Sequence, residues 1–471
     1  MTLLTVKNAF IVGAVLIGSF LAPGRWHKGL LLGGSLLLLV RLTGPYAVVF
    51  IGAVVVTWLL PRAWSRWPRA LTPLFLLGIA ANLAVLAVFK YRPSAMHGLA
   101  RRLFGDGAAE SLGPVLVPLG LSYFALQAVS YLVDVRRGRA PAGSGLADVA
   151  LYLTYFPKFL AGPIERAGDF LERLAAPRSV DNERLARSLT LLVVGLFRKF
   201  VLANPLLAIS GIETYASADA PGGAASAALL AAHVFAVYND FAGYTNLAQG
   251  ISGLFGLDLS PNFRRPFFAQ GLGDFWSRWH ASLTGWLKEY IYFPLTRAML
   301  KAGRGWAGPA ALALPPVLTL LFSGLWHGAS PQFLAWGGLV GALLAVEAVF
   351  GRSEWGRRWR AAGGAAAAAR AVLVTTVMSL TTVLFVLPIP AAAAFWRSLF
   401  DGSAPAAIHP ALLPLLAISL LLDAFQARGR DDASLVRWPL PLRAAGLALA
   451  VLVIFLATRS TGPRVFIYQG F

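Results

Sequence analysis

Two histidines set in apolar, tryptophan-rich sequence are the side chains best suited to chemistry in this chain of 471 residues. His280 closes the run Gly271-Leu-Gly-Asp-Phe-Trp-Ser-Arg-Trp-His280, and His327 lies in Phe322-Ser-Gly-Leu-Trp-His327-Gly. An imidazole can exchange a proton near neutral pH, and an ionisable side chain at membrane depth is costly to keep there. Both histidines are therefore candidate catalytic residues.

Small residues flank His327 on both sides. Ser323, Gly324 and Gly328 stand close to the Trp326-His327 pair, and small side chains let neighbouring backbones or a thin substrate approach closely. One interpretation is a general base, because burial keeps an imidazole neutral and a neutral ring can accept a proton. The other is a structural histidine that joins two helices by hydrogen bonds.

The segment around His280 carries aromatic and apolar residues at helical spacing: Phe275, Trp279, Leu283, Trp286 and Tyr290. Charged residues stand between them, so the pattern predicts one amphipathic helix over residues 274–299. This helix lies at the membrane interface or dips in from one side, and Pro294 ends or kinks it. On spacing alone, a tryptophan belt that anchors the helix explains the pattern better than catalysis does.

Asp240 lies within a long apolar stretch, where a buried carboxylate needs a partner. A structural bridge to an arginine is favoured over a catalytic role. A metal site is not expected, because the chain has no cysteine and its two distinctive histidines stand 47 residues apart without a His-Glu-x-x-His pattern.

The composition predicts a polytopic membrane protein. Apolar residues make up 57% of the chain and charged residues 13%, against roughly 45–50% and 25% in soluble domains. The apolar runs accommodate about eleven spans of about 20 residues, together with re-entrant and amphipathic helices. We therefore expect an all-α fold, with residues 1–22 as a retained first span and residues 1–471 as a single membrane domain.

The net charge of +20 comes from 41 Lys and Arg against 21 Asp and Glu. The basic residues stand between the apolar runs, as in positive-inside loops that contact anionic membrane lipids. Membrane lipids are therefore expected partners, and nucleic acid is not.

Five stretches together resemble the membrane-bound O-acyltransferase (MBOAT) family, in its bacterial polysaccharide branch of the alginate O-acetyltransferase type. The resemblance covers about residues 80–345 and departs at Tyr292–Lys301, where relatives often carry a Gly-Gly-Asn-Arg-like turn. The matching stretches are Pro118–Asp134, Phe156–Arg166, Asn239–Thr245, Asp274–Pro294 and Phe322–Gly328.

This resemblance implies a ring of tilted helices around a thin central core with a substrate tunnel, in the bacterial cytoplasmic (inner) membrane. It implies transfer of an acyl group, most simply acetyl, from a cytosolic thioester donor to a hydroxyl of an exported polysaccharide or to a partner protein. The donor would be acetyl-coenzyme A or another acyl thioester, with no bound cofactor. An extracytoplasmic partner of the SGNH-hydrolase type is also implied.

The resemblance also assigns roles to residues. His327 matches the family's near-invariant histidine and would be the general base. His280 matches the second histidine, which could polarise the thioester, guide the donor arm, orient the loop or carry the acyl group. Apart from the resemblance, adjacency to the histidines or positive charge suggests further candidates for contacting the donor or lining the tunnel: Trp276, Arg278, Lys288, Ser323 and Trp326.

Other functions stay open at this point. Within the family, the nearest alternative is D-alanyl transfer from a carrier protein toward teichoic acid. Outside catalysis, a transporter or a scaffold subunit of an envelope polysaccharide complex fits the composition equally well, although the absence of an internal repeat weakens the transporter.

Overall fold

Helices are the regular elements throughout the part of the chain that the computed structural model describes. Eight helical ranges are long and apolar enough to cross a membrane, and Lys7–Leu21 and Ala311–His327 are shorter apolar helices. The predicted all-α, multi-pass class is thus confirmed. The first four residues of the predicted first span lie outside the description. The described ranges are 5–91, 101–102, 118–178, 180–212, 222–301, 309–402, 408–429 and 431–460.

Contacts divide the chain into two compact units, and the first holds the described residues up to Ser188 together with Ala248–Ser260. The predicted single domain over the whole chain stays a prediction. The helices of the first unit are α1 (Val6–Leu21), α2 (His27–Thr43), α3 (Ala47–Arg66), α4 (Leu71–Tyr91), α5 (Leu121–Arg136), α6 (Leu146–Thr154), α7 (Phe156–Phe159) and α8 (Ala167–Ala175).

Buried polar side chains organise the first unit. Lys158 is fully buried and donates to the side chain of Gln127 and to the carbonyl of Tyr152. Glu165 accepts hydrogen bonds from the backbone N–H of Ser260 at 2.6 Å and from its hydroxyl at 3.1 Å. Two of the stretches that carry the resemblance, 118–134 and 156–166, therefore meet in one core.

The second unit comprises Leu189–Leu247 and the described residues from Pro261 onward. Two π-helical turns, Arg198–Ala203 and Lys288–Tyr292, interrupt its helices. The helices lying wholly or partly in it are α9 (Asn182–Phe197), α10 (Asn204–Ser210), α11 (Gly223–Leu254), α12 (Leu272–Arg278), α13 (Ala281–Leu287), α14 (Phe293–Lys301), α15 (Pro309–His327), α16 (Pro331–Phe350), α17 (Glu354–Ala361), α18 (Ala365–Val386), α19 (Ile389–Ser398), α20 (Leu412–Gly429) and α21 (Leu440–Ser460).

Helices α15 and α16 pack backbone against backbone beside His327. A Cβ added to Gly324 would lie 2.2 Å from the carbonyl oxygen of Phe333, and one added to Gly337 would lie 2.3 Å from that of Leu320. Such distances leave room for hydrogen alone. The small residues before His327 thus serve close helix packing, as their pattern indicated.

The single helix predicted over residues 274–299 is wrong. Helix α12 ends at Arg278, Trp279 is extended, and His280 adopts a left-handed backbone conformation (φ 44°, ψ 50°) before α13 begins. Long-range hydrogen bonds hold this break: Arg264 N–H donates to the carbonyl of Arg278 at 2.9 Å, and Ala281 N–H donates to that of Asn262 at 2.8 Å. Helical periodicity carries no information about such partners.

Candidate active site

His280 is buried at the break between α12 and α13. Its Nδ1 lies 3.0 Å from the side-chain oxygen of Asn262. The same oxygen accepts the backbone N–H of Ser282 at 3.2 Å and its hydroxyl at 2.8 Å. Phe241 packs edge-on against the imidazole with ring centroids 4.7 Å apart. The ring is thus fixed in position from two sides.

Burial determines the protonation state of His280. It lowers the pKa of the imidazole to about 3, while a hydrogen bond to the residue's own backbone opposes the shift. The ring is therefore neutral at physiological pH. A non-glycine residue in the left-handed region costs about 1–3 kcal/mol, and such strain concentrates at functional sites.

His327 is the last residue of α15 and is enclosed by aromatic rings. The centroid of its imidazole lies 4.6 Å from that of Trp326, 4.7 Å from Phe385 and 5.6 Å from Trp336, and each pair meets edge to face. Only 8% of the residue is exposed. These surroundings exclude most water from the ring.

Tryptophan side chains connect the two histidine segments. Trp276 of α12 meets Trp336 of α16 edge to face at 5.9 Å, and Trp336 in turn contacts the ring of His327. The indole N–H of Trp276 is buried without a hydrogen-bond partner among the described residues, and so is the side-chain amide nitrogen of Asn262. Donors of this kind suit a carbonyl-bearing ligand.

The other predicted site residues differ in their surroundings. Ser323 is buried one turn before His327 on the same helix. Arg278 pairs with Asp274 at 2.7 Å. Lys288 is exposed at the start of the second π-helical turn. The structure therefore brings the tryptophans and the serine toward His327 and leaves Lys288 exposed.

Asp240 forms a buried ion pair with a lysine, where we expected an arginine. Its carboxylate accepts a hydrogen bond from Lys199 at 2.6 Å, and both side chains are almost completely buried. Lys199 lies in the first π-helical turn, which follows α9. The charge of Asp240 is thus compensated from a neighbouring helix, as a buried carboxylate requires.

A second buried ion pair was not predicted. Arg198 donates to Asp423 at 2.7 Å, and the hydroxyl of Tyr238 donates to the same carboxylate. Tyr238 also packs against Trp279, the residue before His280, with centroids 6.1 Å apart. The available signal was a charged residue inside each of two otherwise apolar runs.

Glu347 was also missed. Its carboxylate accepts the backbone N–H groups of Leu272 at 2.6 Å and Gly273 at 2.8 Å, the first two residues of α12. These amides have no partner within the helix, and a negative charge is favourable at a helix amino end. Glu347 therefore ties α16 to the helix that carries Trp276 and leads to His280.

Among the described residues, no three His, Cys, Asp or Glu side chains are grouped so that they could hold a metal ion. What this part of the second unit offers is two enclosed imidazoles, unpartnered N–H donors and a tryptophan-lined surface. Such an arrangement can move a proton in a dry site.

Taken together, the fold and the site define a multi-pass α-helical membrane protein whose candidate site contains the two buried histidines His280 and His327. The family model for the membrane-bound O-acyltransferase (MBOAT) family matches residues 111–387, which include both histidines. The chain belongs to this family. The family match ends at residue 387, whereas the sequence resemblance was expected to end near residue 345.

Curated relatives carry three kinds of name. A probable alginate O-acetylase of Pseudomonas syringae is 29% identical over 70% of this chain and 63% of its own length. A peptidoglycan O-acetyltransferase of Helicobacter pylori is 28% identical over 65% of the chain and 61% of its own length. A teichoic acid D-alanyltransferase of Bacillus subtilis is 26% identical over 51% of the chain and 61% of its own length. The chain thus spans about three fifths of each relative.

Proposed function

We propose that this protein is an acyltransferase that moves an acetyl group from a thioester donor to a hydroxyl of an exported polysaccharide or to a partner protein. The observation that carries the proposal is the enclosed imidazole of His327 within a chain of the MBOAT family. Two relatives are named for O-acetyl transfer to alginate or peptidoglycan, which supports acetyl as the group and a polysaccharide as the acceptor.

In this proposal His327 is the general base. It takes the proton of the acceptor hydroxyl as the oxygen bonds to the thioester carbonyl carbon. The carbon–sulfur bond then breaks with its electron pair on sulfur, and the imidazolium returns the proton to give free thiol and the ester. A well-placed base contributes about 10²–10⁴ in rate, and alignment in a dry site supplies more.

The remaining site residues would bind the donor. A coenzyme A donor carries phosphates, which the accessible Lys288 and the half-buried Arg278 can attract. Arg278 would have to exchange its present partner Asp274 for the phosphate or hold both. Trp276, Trp326 and Ser323 would line the tunnel beside the acyl group.

The proposed setting is the bacterial inner membrane, with the donor in the cytosol and the acceptor outside. An SGNH-hydrolase-type protein would then receive the acyl group or complete its transfer. D-alanyl transfer from a carrier protein is the second candidate, because one relative is named for D-alanyl transfer to teichoic acid.

Thioester turnover tests the proposal directly. Purified protein in nanodiscs is given acetyl-coenzyme A, and free thiol is measured for wild type, His327→Ala and His280→Ala. The chain contains no cysteine, so every thiol detected comes from the donor. We expect turnover by wild type and a loss of at least about 100-fold in His327→Ala.

Equal turnover in wild type and a folded His327→Ala would refute the general base. If the wild type is inactive with acetyl-coenzyme A but releases thiol from a D-alanyl carrier protein, the second candidate replaces the first. Movement of intact donor into sealed vesicles without thiol release would instead indicate a transporter.

A further inference from the structure

The side-chain amide of Asn262 contacts both His280 and Ser282. The residue is fully buried. Its Oδ1 accepts the backbone N–H of Ser282, and a backbone N–H can only donate. This contact identifies the atom as the amide oxygen, because an amide nitrogen at that position would face another donor.

The identity of that oxygen fixes the proton on the imidazole. Nδ1 of His280 lies 3.0 Å from an atom that only accepts, so Nδ1 must carry a hydrogen. In a neutral ring the other nitrogen, Nε2, then holds the lone pair. Neutral His280 therefore cannot donate a hydrogen bond through Nε2.

We infer that Asn262 is a positioning residue that holds His280 in the Nδ1–H tautomer, so that His280 meets the substrate as a hydrogen-bond acceptor through Nε2. This decides among the roles that the sequence left open. Polarising the thioester carbonyl needs a donor and is excluded for neutral His280. Accepting a hydrogen bond from the donor arm or the acceptor, or taking up the acyl group, stays possible.

The same amide carries a second indication of a ligand. Its Nδ2 is buried without a hydrogen-bond partner among the described residues, although such donors are nearly always paired. The oxygen of the Asn262 amide thus accepts a hydrogen bond from His280, and its nitrogen is available to donate one to a bound group. A residue that served packing alone would gain nothing from an unpaired buried donor.

The charged residues that stand beside Phe241 and His280 in sequence carry partners of opposite charge. Asp240, next to Phe241 on α11, pairs with Lys199. Arg278, two residues before His280, pairs with Asp274. The hydrogen bond that Asn262 accepts from Nδ1 of His280 distinguishes the two ring nitrogens.

The tautomer can be measured without any reaction. The protein is labelled with ¹⁵N-histidine in lipid nanodiscs, and the His280 signals are assigned by their loss in His280→Asn. We expect the proton on Nδ1 in wild type and a mixture of tautomers in Asn262→Ala. A proton on Nε2 in wild type, or an unchanged tautomer in Asn262→Ala, would overturn the inference.

Turnover supplies the second test and rests on the proposed function. Hydrogen-bond partners that orient metal-binding histidines affect activity about 10- to 100-fold, and by analogy we expect a loss of this size in Asn262→Ala. Asn262→Asp keeps the shape and the acceptor, but its carboxylate stabilises the imidazolium. We therefore expect its activity to fall at acidic pH and to return toward wild type as the pH rises.

A loss in Asn262→Asp that is equal at every pH would show a structural role and refute the inference. The matched control is Asn82→Ala, which removes another buried amide, one that bonds Gly78 and Thr57 in the first unit. It should leave the tautomer unchanged. If the wild type proves inactive with every donor, the proposed function fails while the NMR result still decides the inference.

Discussion

The carboxylate of Glu347 holds the amino end of α12, and its removal is expected to release that end. In Glu347→Ala the amides of Leu272 and Gly273 lose their shared acceptor. Hydrogen bonds to a charged group contribute about 1.5–3 kcal/mol each. Glu347 is partly exposed, so hydrogen bonds to water replace part of this stabilisation. For the two hydrogen bonds together, we expect a loss of about 2–3 kcal/mol.

Hydrogen–deuterium exchange of a peptide covering these two amides measures the loss where it occurs. Local opening that becomes easier by about 2–3 kcal/mol speeds exchange about 30- to 150-fold. Glu347→Gln keeps one acceptor oxygen and should give a smaller rise, roughly 5- to 10-fold. Thioester turnover should fall as well, because α12 carries Trp276 and leads to His280.

Glu354→Gln is the matched control, because it removes a carboxylate of the same length from an exposed pair with Arg358. We expect it to leave exchange in α12 and turnover unchanged. If the amides of Leu272 and Gly273 exchange no faster in Glu347→Ala than in wild type, the reasoning is refuted. A similar rise in the exchange rate in Glu347→Ala and Glu354→Gln would instead attribute the effect to the change in net charge.

Three further predictions concern packing, pH and buried charge. Gly337→Ala should destabilise the protein by about 1–3 kcal/mol, because its Cβ would lie 2.3 Å from a backbone oxygen of α15. The control Gly338→Ala would place its Cβ 3.6 Å from the nearest atom and should be neutral. Thermal unfolding followed by tryptophan fluorescence measures both variants. The lowered pKa of His280 means that, between about pH 6.5 and 3, the unfolded chain binds a proton that the native protein does not. The free energy of unfolding should therefore decrease as the pH is lowered through that window, by at most about 1.4 kcal/mol per pH unit. The decrease should be shallower in His280→Gln. Lys199→Met should cost about 3–5 kcal/mol by removing the buried ammonium group that pairs with Asp240, and the double variant with Asp240→Leu should recover much of this loss in the same unfolding assay.

Local pattern predicted the membrane class and singled out His280 and His327, which are both buried, because each depends on which residues stand next to one another. Long apolar runs specify membrane helices, and small residues before His327 allow α15 and α16 to pack closely. The same reasoning failed over residues 274–299. Periodicity continued through His280, while backbone hydrogen bonds with Asn262 and Arg264 held the chain in a left-handed turn.

The missed residues share one physical cause. Asn262, Glu347 and Asp423 each act on a partner far away in sequence, and no spacing rule connects them to it. Charged residues within apolar runs were the available signal for Glu347 and Asp423, because such a charge must find compensation. That signal identifies a residue that needs a partner but not which residue the partner is. For the same reason, an arginine was predicted as the partner of Asp240, whose observed ion pair is with Lys199.

The positions of the two histidines on their helices support a division of work between them. His280 precedes the amino end of α13, where helix dipoles disfavour a positive charge, and its burial acts in the same direction. His327 ends α15, and the carboxyl end of a helix stabilises a positive charge. A general base must hold the proton briefly as imidazolium, so the position of His327 suits that task. A histidine kept neutral by burial and held in the Nδ1–H tautomer by Asn262 suits binding a substrate hydrogen without taking it.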